Sequence, residues 1–502
     1  MKKSTPRGYS EFIKFIDDMS SGRIWDEVQE EPSEVLIENF IEDCYKKRLA
    51  VSRCLLEAML ENQDNDLKSS TIAMILSRMI PDKMVDHIAD FIKNKEVKDK
   101  TRKKLFLVLE KYNKTEIIPE LLSYFQNKDT LIDYLINNII KKISTPNINI
   151  EHYIQYLKKQ NLPFFDMLIQ NILERTDDKS TWILGMLAEH SDYQIAEKAI
   201  AALKEKNTEI SQEILDTLIT HPQINNVPKQ SPLLGGYGMP RPIQKAIMPH
   251  KCYLSWLDGD GNQIFLVSRR TGRGLLYTTS FILNVEHGIY DCIFCNNISS
   301  FENDNMIKDL EVNKGLKQID YSLGIRFLEH AIWKTLSQHQ LLFPNFLIAR
   351  RIFGGQKLSA KKYNVQENQL GIQYILQKYD ELIDQSHKLL QDKPFQDWWV
   401  DTPETIAFFN SHPALKAGKK CRKDNIIQFI ETIIEPQRKV WQERFIMTCE
   451  FLHRTSPRIY RQHIEISLAL YIALRDNGDL TQIPFFQELT ELTITKLSEN
   501  EI

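Results

Sequence analysis

At 502 residues the chain is longer than one hydrophobic core usually organises, so about two to four domains are expected. Its 42% apolar and 26% charged residues are those of a soluble globular protein, and Gly (18) and Pro (19) are sparse enough to imply long regular elements. With a net charge of only −3, binding to a polyanion requires Lys and Arg to be concentrated locally.

Met1–Tyr9 carries Lys2, Lys3 and Arg7 with no apolar core behind them, which does not read as a secretory signal. No run approaches the roughly 18 apolar residues of a membrane span. From Ser33 to about Thr220 the pattern is helix after helix, opened by Ser33 as an N-cap behind Pro32. Apolar residues recur at three- and four-residue spacing, as in Leu105, Val108, Leu109 and Tyr112.

From His221 to Pro249 six prolines and the glycines 235, 236 and 238 mark a linker or extended arm. Residues 251–300 are the β-rich part. Cys252–Leu257 and Gln263–Ser268 flank the turn Asp258-Gly259-Asp260-Gly261-Asn262, and Leu275–Val285 and Ile289–Asn296 add two more strands. A small antiparallel sheet is expected, followed by helices to Ile502 broken at prolines 344, 394, 403, 413, 436, 457 and 484. The expected organisation is a helical domain over 1–221, a Pro/Gly-rich segment over 222–250, a sheet over 251–300, and a helical domain over 301–502 packed on the sheet.

Internal repetition separates a stack of helices from a bundle. When Thr101–Phe125 is laid on Ile195–Ile219, Leu105 matches Ala199, Leu109 matches Leu203 and Asn113 matches Asn207. After a one-residue adjustment, Thr115-Glu116-Ile117 falls on Thr208-Glu209-Ile210. Two units of roughly 47 residues separate the segments, and Ser191–Leu203 resembles the second-helix region of HEAT/armadillo repeats. The resemblance covers residues 33–220 and is one of fold class. It implies an α-solenoid with an extended curved surface for proteins or nucleic acids.

The chemistry-bearing candidates read mostly as structure. Asp258–Asn262 has aspartates at calcium-loop spacing, but Gln263 stands where the loop needs glycine and Arg269 where it needs a bidentate glutamate. Cys292 and Cys295 have the spacing of half a zinc site without a second pair, and residues three apart on a strand face opposite ways. The seven scattered cysteines fit a reducing compartment, and a cytoplasmic location is expected. Glu286-His287 and Glu329-His330 sit in no nucleophile or metal motif, and the phosphate-loop, dinucleotide and nucleophile-elbow signatures do not occur. Trp398-Trp399 reads as helix-packing core. No catalytic residue, cofactor or metal is assigned, and the reading leans away from an enzyme.

The basic windows carry more. Residues 1–225 hold 31 Lys and Arg against 37 Asp and Glu, and residues 226–502 hold 33 against 30. Windows 330–366 and 405–423 contain no acid. Arg269, Arg270, Arg273, Arg350, Arg351, Lys357, Lys361, Lys362, Lys419, Lys420, Arg422 and Lys423 are the candidate phosphate contacts, each adding a salt-sensitive increment by displacing counterions. Arg454, Arg458 and Arg461 form a weaker group. The expected function is a non-enzymatic binding or adaptor protein that uses its helical surface for a protein partner. Alternatives are a nucleic-acid-associated protein using the two windows, and an enzyme with a site between the sheet and the C-terminal helices. The acidic balance of the N-terminal half argues against phosphate binding there.

Overall fold

A computed structural model describes residues 9–20, 37–42, 51–79, 84–144, 150–219, 251–270, 275–354, 356–363, 371–412 and 423–500. The expected N-cap Ser33 and the segment 222–250 lie outside the described residues. The protein is mainly α-helical, with one small antiparallel sheet and a helical C-terminal region. Among the described residues no helix is long and apolar enough to cross a membrane. The chain forms two compact units, Met1–Ile183 and Leu184–Ile502.

The first unit contains α1 (Tyr9–Ser20), α2 (Val51–Glu61), α3 (Asp66–Leu76), α4 (Val85–Lys93), α5 (Asp99–Lys111), α6 (Ile118–Leu121), α7 (Lys128–Ser144), α8 (Glu151–Lys158) and α9 (Leu162–Glu174). α10 (Asp178–Ala188) runs across the boundary into the second unit. Helices two apart in sequence pack on each other. α2, α4, α6 and α8 make one row, while α3, α5, α7 and α9 make the other. The core between them includes Leu55, Ile72, Leu105, Phe106, Leu109, Ile118, Ile132, Leu135, Leu157 and Leu168, all essentially inaccessible. No single helix here encloses its own apolar stripe, so each is stabilised by its neighbours.

Buried Arg102 ties one joint of these rows. Its Nε and Nη2 donate to the carbonyls of Ile92 (3.0 Å) and Asn94 (2.8 Å), which satisfies the end of α4. Its Nη1 meets Asp99 at 2.7 Å, and Asp99 in turn accepts from the backbone N–H groups of Gln126 and Asn127 just before α7. One buried ion pair thus sets the ends of three helices.

The second unit starts with the end of α10, then α11 (Tyr193–Lys206) and α12 (Glu209–Thr217). The aligned residues Asn113 and Asn207 both adopt the left-handed conformation that ends a helix, with φ of 55° and 43°. The turns after these two asparagines differ. Thr208 caps a regular helix through a capping box with Ser211, whereas Thr115 opens a 3₁₀ turn before α6.

The sheet has the order β4-β3-β2-β1-β5, with every pairing antiparallel: β1 (Lys251–Leu254), β2 (Asn262–Arg270), β3 (Leu276–Asn284), β4 (Gly288–Ile298) and β5 (Lys317–Gln318). The first four strands stand where alternation places them. β5 is only two residues long, too short to leave a periodic signal. The Asp258–Asn262 segment is a hairpin turn closed by Asp258 N–H to Asn262 O (2.8 Å), with Gly261 at φ 78°.

Alternation along β2 gives the sheet two buried faces. Leu266 points to α13 (Ser300–Lys314) and packs with Tyr253, Ile307 and Leu316. Phe265 points the other way, stacking with Phe281 (6.0 Å) and Phe353 (6.5 Å) beneath α14 (Tyr321–Ser337) and α15 (Pro344–Ala349). Gly324 permits the close approach of α14, because a Cβ there would lie 2.2 Å from the Phe265 ring.

The remaining helices are α16 (Ile372–Gln377), α17 (Tyr379–Asp384), α18 (Pro403–Asn410), α19 (Lys423–Phe429), α20 (Arg438–Thr455), α21 (Arg461–Arg475) and α22 (Pro484–Asn500). Trp398, Trp441, Phe445, Phe485 and Phe486 form their aromatic core. The Asp258–Asn262 turn docks on that core. Trp398 Nε1 donates to Leu257 O (3.0 Å), and buried Arg444 donates to Gly259 O (2.8 Å) with its guanidinium 4.7 Å from the Trp441 ring. Burial pushes the Arg444 guanidinium down to about 10.

Candidate functional site

The basic windows are first followed into space. Arg350 is enclosed, with its side chain 4% exposed, and its Nη1 pairs with the equally buried Glu189 at the end of α10. Glu189 also accepts from the Ile219 N–H at 3.1 Å. Arg350 is therefore an interior residue and not a surface that an external phosphate would reach. Nearby Arg351 pairs with Glu213 of α12 at 2.7 Å. Lys334 pairs with Glu443 at 2.6 Å, and Lys361 stands 4.0 Å from Glu329. The window has no acid in sequence, yet tertiary packing brings four carboxylates to it.

Two expected clusters do meet. The Arg269 guanidinium lies beside Gly354, 3.0 Å from where a Cβ would stand, so the end of β2 adjoins the segment after α15. Arg270 and Lys357 are exposed. Lys362 is exposed too and lies 5.6 Å over the Trp333 ring. Lys423 opens α19, which packs on α22. Arg273, Lys419, Lys420 and Arg422 lie outside the described residues. In the weaker group, Arg454 pairs with Glu450 and Arg461 with Glu465.

The histidines and carboxylates of the sequence candidates have structural surroundings. His330 is buried, and its Nδ1 accepts the Tyr363 N–H at 3.0 Å. Burial, reinforced by Lys334 and Lys362, pushes its pKa down to about 4, so it is neutral at pH 7. Glu329 accepts from the N–H and hydroxyl of Ser359. Cys292 is buried on β4, and Cys295 is partly exposed.

A different site emerges on the first unit. A cavity of about 560 Å³ is lined by Lys100, Lys103, Lys104 and Leu107 of α5 and by Tyr134, Asn137, Asn138 and Lys141 of α7. The two helices are neighbours in one row of the stack. On each, the lining residues fall at i, i+3, i+4 and i+7, one face of an α-helix. The opposite face of α5, with Leu105, Phe106, Val108 and Leu109, is buried. Burial of that stripe therefore turns three lysines and Leu107 outward together.

Charges around this groove are unequal. Asp66 of α3 takes both Lys104 (2.7 Å) and Lys100 (3.1 Å), and these ammonium groups, Lys104 first, hold its carboxyl below the usual range. Asp133 is shared by Arg175 and, at 3.7 Å, Lys103. Among the described residues, Lys141 has one hydrogen bond, to the Asn138 amide oxygen at 3.4 Å. The eight residues that line the groove include four lysines and no carboxylate; Asp66 and Asp133 meet three of those lysines from outside the lining, and Glu110 accepts from the Tyr153 hydroxyl behind its base. Leu107 is 46% exposed within it. The Tyr134 ring closes the base. It is edge-on to Tyr153 at 5.8 Å, and its hydroxyl is 3.0 Å from the Tyr153 hydroxyl. Burial pushes both phenols up, so neither ionises near neutrality.

The acidic balance of the N-terminal half conceals this groove. One signal was available: the eight lining residues share the same helical spacing on α5 and α7. Nothing in the sequence says that α5 and α7 are neighbours.

No curated protein and no solved structure matches the chain. Residues 366–498, the helices α16 to α22 around Trp398 and Trp441, are similar to the Y4lR C-terminal helical domain.

Proposed function

We propose that this chain is a non-enzymatic binding or adaptor protein that presents its N-terminal helical stack to a protein partner. The observation that carries the reading is the two-row packing of α2 to α9, in which helices two apart in sequence pack on each other, the arrangement from which a solenoid builds an extended surface. The left-handed asparagines 113 and 207 at aligned helix ends support reading the stack as a HEAT-like solenoid. Seven cysteines scattered sparsely along the chain fit a reducing setting such as the cytoplasm.

The nucleic-acid alternative draws on Arg269, Arg270, Lys357 and Lys362, which stand without a carboxylate partner among the described residues. It ranks second because Arg350 and Arg351 in the centre of the window and Lys334 near its start are engaged internally. Affinity purification of the full chain from its native cell, with and without nuclease and then cross-link mapping, tests the order. A protein recovered in both arms and cross-linked to lysines of α3, α5 or α7 supports the proposal. Recovery that vanishes with nuclease, or cross-links confined to residues 184–502, overturns it.

A further inference from the structure

We infer that the groove between α5 and α7 is the docking site, and that its occupant is an acidic protein segment carrying an apolar side chain. The inference rests on the protein-partner reading above and deepens it to a place and a chemistry.

Charge complementarity chooses the sign. Lys100, Lys103, Lys104 and Lys141 line the groove without an acid among them. The protein already shows the recognition involved: Asp66 seats one carboxylate between Lys100 and Lys104 at 3.1 and 2.7 Å. Lys103 and Lys141, less completely neutralised, are placed to hold further carboxylates from outside.

The floor chooses the class of partner. Leu107, the lysine stems and the edge of Tyr134 give an apolar strip that phosphates do not need and that a leucine or valine side chain fills. Nucleic acid would call for exposed aromatic faces on which bases stack. Tyr134 is only 6% exposed, packed against Phe106, Phe125 and Tyr153. The lining contains no arginine, the side chain that pairs with phosphate in bidentate geometry. Each stripe spans eight residues, seven rises or about 10 Å along the helix, which matches two turns of a helix or three to four extended residues.

The test is fluorescence anisotropy on the full chain. The probe is a labelled synthetic peptide of about ten residues with four carboxylates around a central leucine, and its controls have glutamine for each acid or serine for the leucine. At low salt the acidic peptide is expected to bind, and the glutamine control to lose about tenfold or more in affinity. K103E/K141E is expected to abolish binding, and Leu107→Ser to weaken it severalfold at unchanged salt dependence. Leu107 and Lys141 are exposed and Lys103 is half-buried at the surface, so the helices are expected to stay intact, which a thermal melt of each variant verifies. Equal binding of the glutamine control, or K103E/K141E binding like the parent, overturns the inference. Displacement of the peptide by a mixed-sequence single-stranded oligonucleotide at lower concentration also overturns it, in favour of nucleic acid. Recovery of the native partner in both nuclease arms by the K103E/K141E chain refutes the groove alone. Loss of recovery on nuclease treatment refutes the protein-partner reading itself.

Discussion

The window 330–366 and the α5–α7 groove show opposite relations between charge in sequence and charge in space. The window has no acidic residue over its length, yet Glu189, Glu213 and Glu443 reach Arg350, Arg351 and Lys334 from elsewhere in the fold, and Glu329 at its edge stands 4.0 Å from Lys361. The groove lies in the more acidic half of the chain, yet four lysines share its lining. Lys100 and Lys104 divide one carboxylate, Asp66, Lys103 stands 3.7 Å from Asp133, and Lys141 has no carboxylate partner among the described residues. Local sequence charge reports what a segment brings. Packing decides which carboxylates it meets, and only unmatched charge is available to a ligand.

The strongest way to break the comparison is to attack the most buried cation in the window. Arg350→Met leaves Glu189 buried with only the Ile219 N–H to stabilise it, and breaking such a pair costs about 3–5 kcal/mol. Chemical denaturation should show that loss, and R350M/E189L should recover most of it by replacing the pair with apolar contacts. An Arg350→Met variant as stable as the parent would mean the arginine is held outward, and the window would regain a phosphate contact.

His330, at the start of the same window, is expected to have the next largest effect. Its pKa is about 4 in the folded state and about 6.5 when unfolded, so the unfolded chain binds the extra proton between those values. Stability from this group is therefore complete above about pH 6.5 and falls as the pH drops towards 4. About 3 kcal/mol is at stake at the acidic end. His330→Gln keeps an acceptor for the Tyr363 N–H but does not titrate, so its stability should vary less with pH across this range. Parallel pH profiles of parent and variant would show that His330 is solvated and that the segment around it is open.

The fold was legible where periodicity carries it. The helices from Leu105 to Leu203, the four main strands and the Asp258–Asn262 turn follow from side-chain spacing and turn chemistry. Of the two residues ahead of Pro403 that could cap a helix there, Asp401 and Thr402, it is Thr402 that caps α18. Of the Trp398-Trp399 pair expected as helix-packing core, Trp398 is fully buried and Trp399 is half-buried. The site was not legible, for a physical reason. The spacing of Lys100, Lys103, Lys104 and Leu107 shows that they share a face. That α7 lies beside that face with Lys141 depends on contacts between helices two apart, which no local pattern records. The Arg350–Glu189 pair spans 161 positions and was hidden for the same reason.

The smallest effects give the finest test of what is unmatched. Lys357 is exposed with no carboxylate beside it among the described residues, so Lys357→Ala should change stability by less than about 0.5 kcal/mol at any salt. Lys362→Ala should cost slightly more, about 0.5–1 kcal/mol, through its loss from the face of Trp333. Lys141 differs in sign. It contacts one amide oxygen and lines the groove with three other lysines, so Lys141→Gln relieves repulsion between like charges. At low ionic strength that variant should be as stable as the parent or more stable by up to about 0.5 kcal/mol, and the gain should fade as salt is added. A lysine retained where it slightly destabilises the fold is what a binding surface requires. A Lys141→Gln chain that loses more than about 1 kcal/mol at low salt would instead make Lys141 a structural residue, and the contrast between groove and window would collapse.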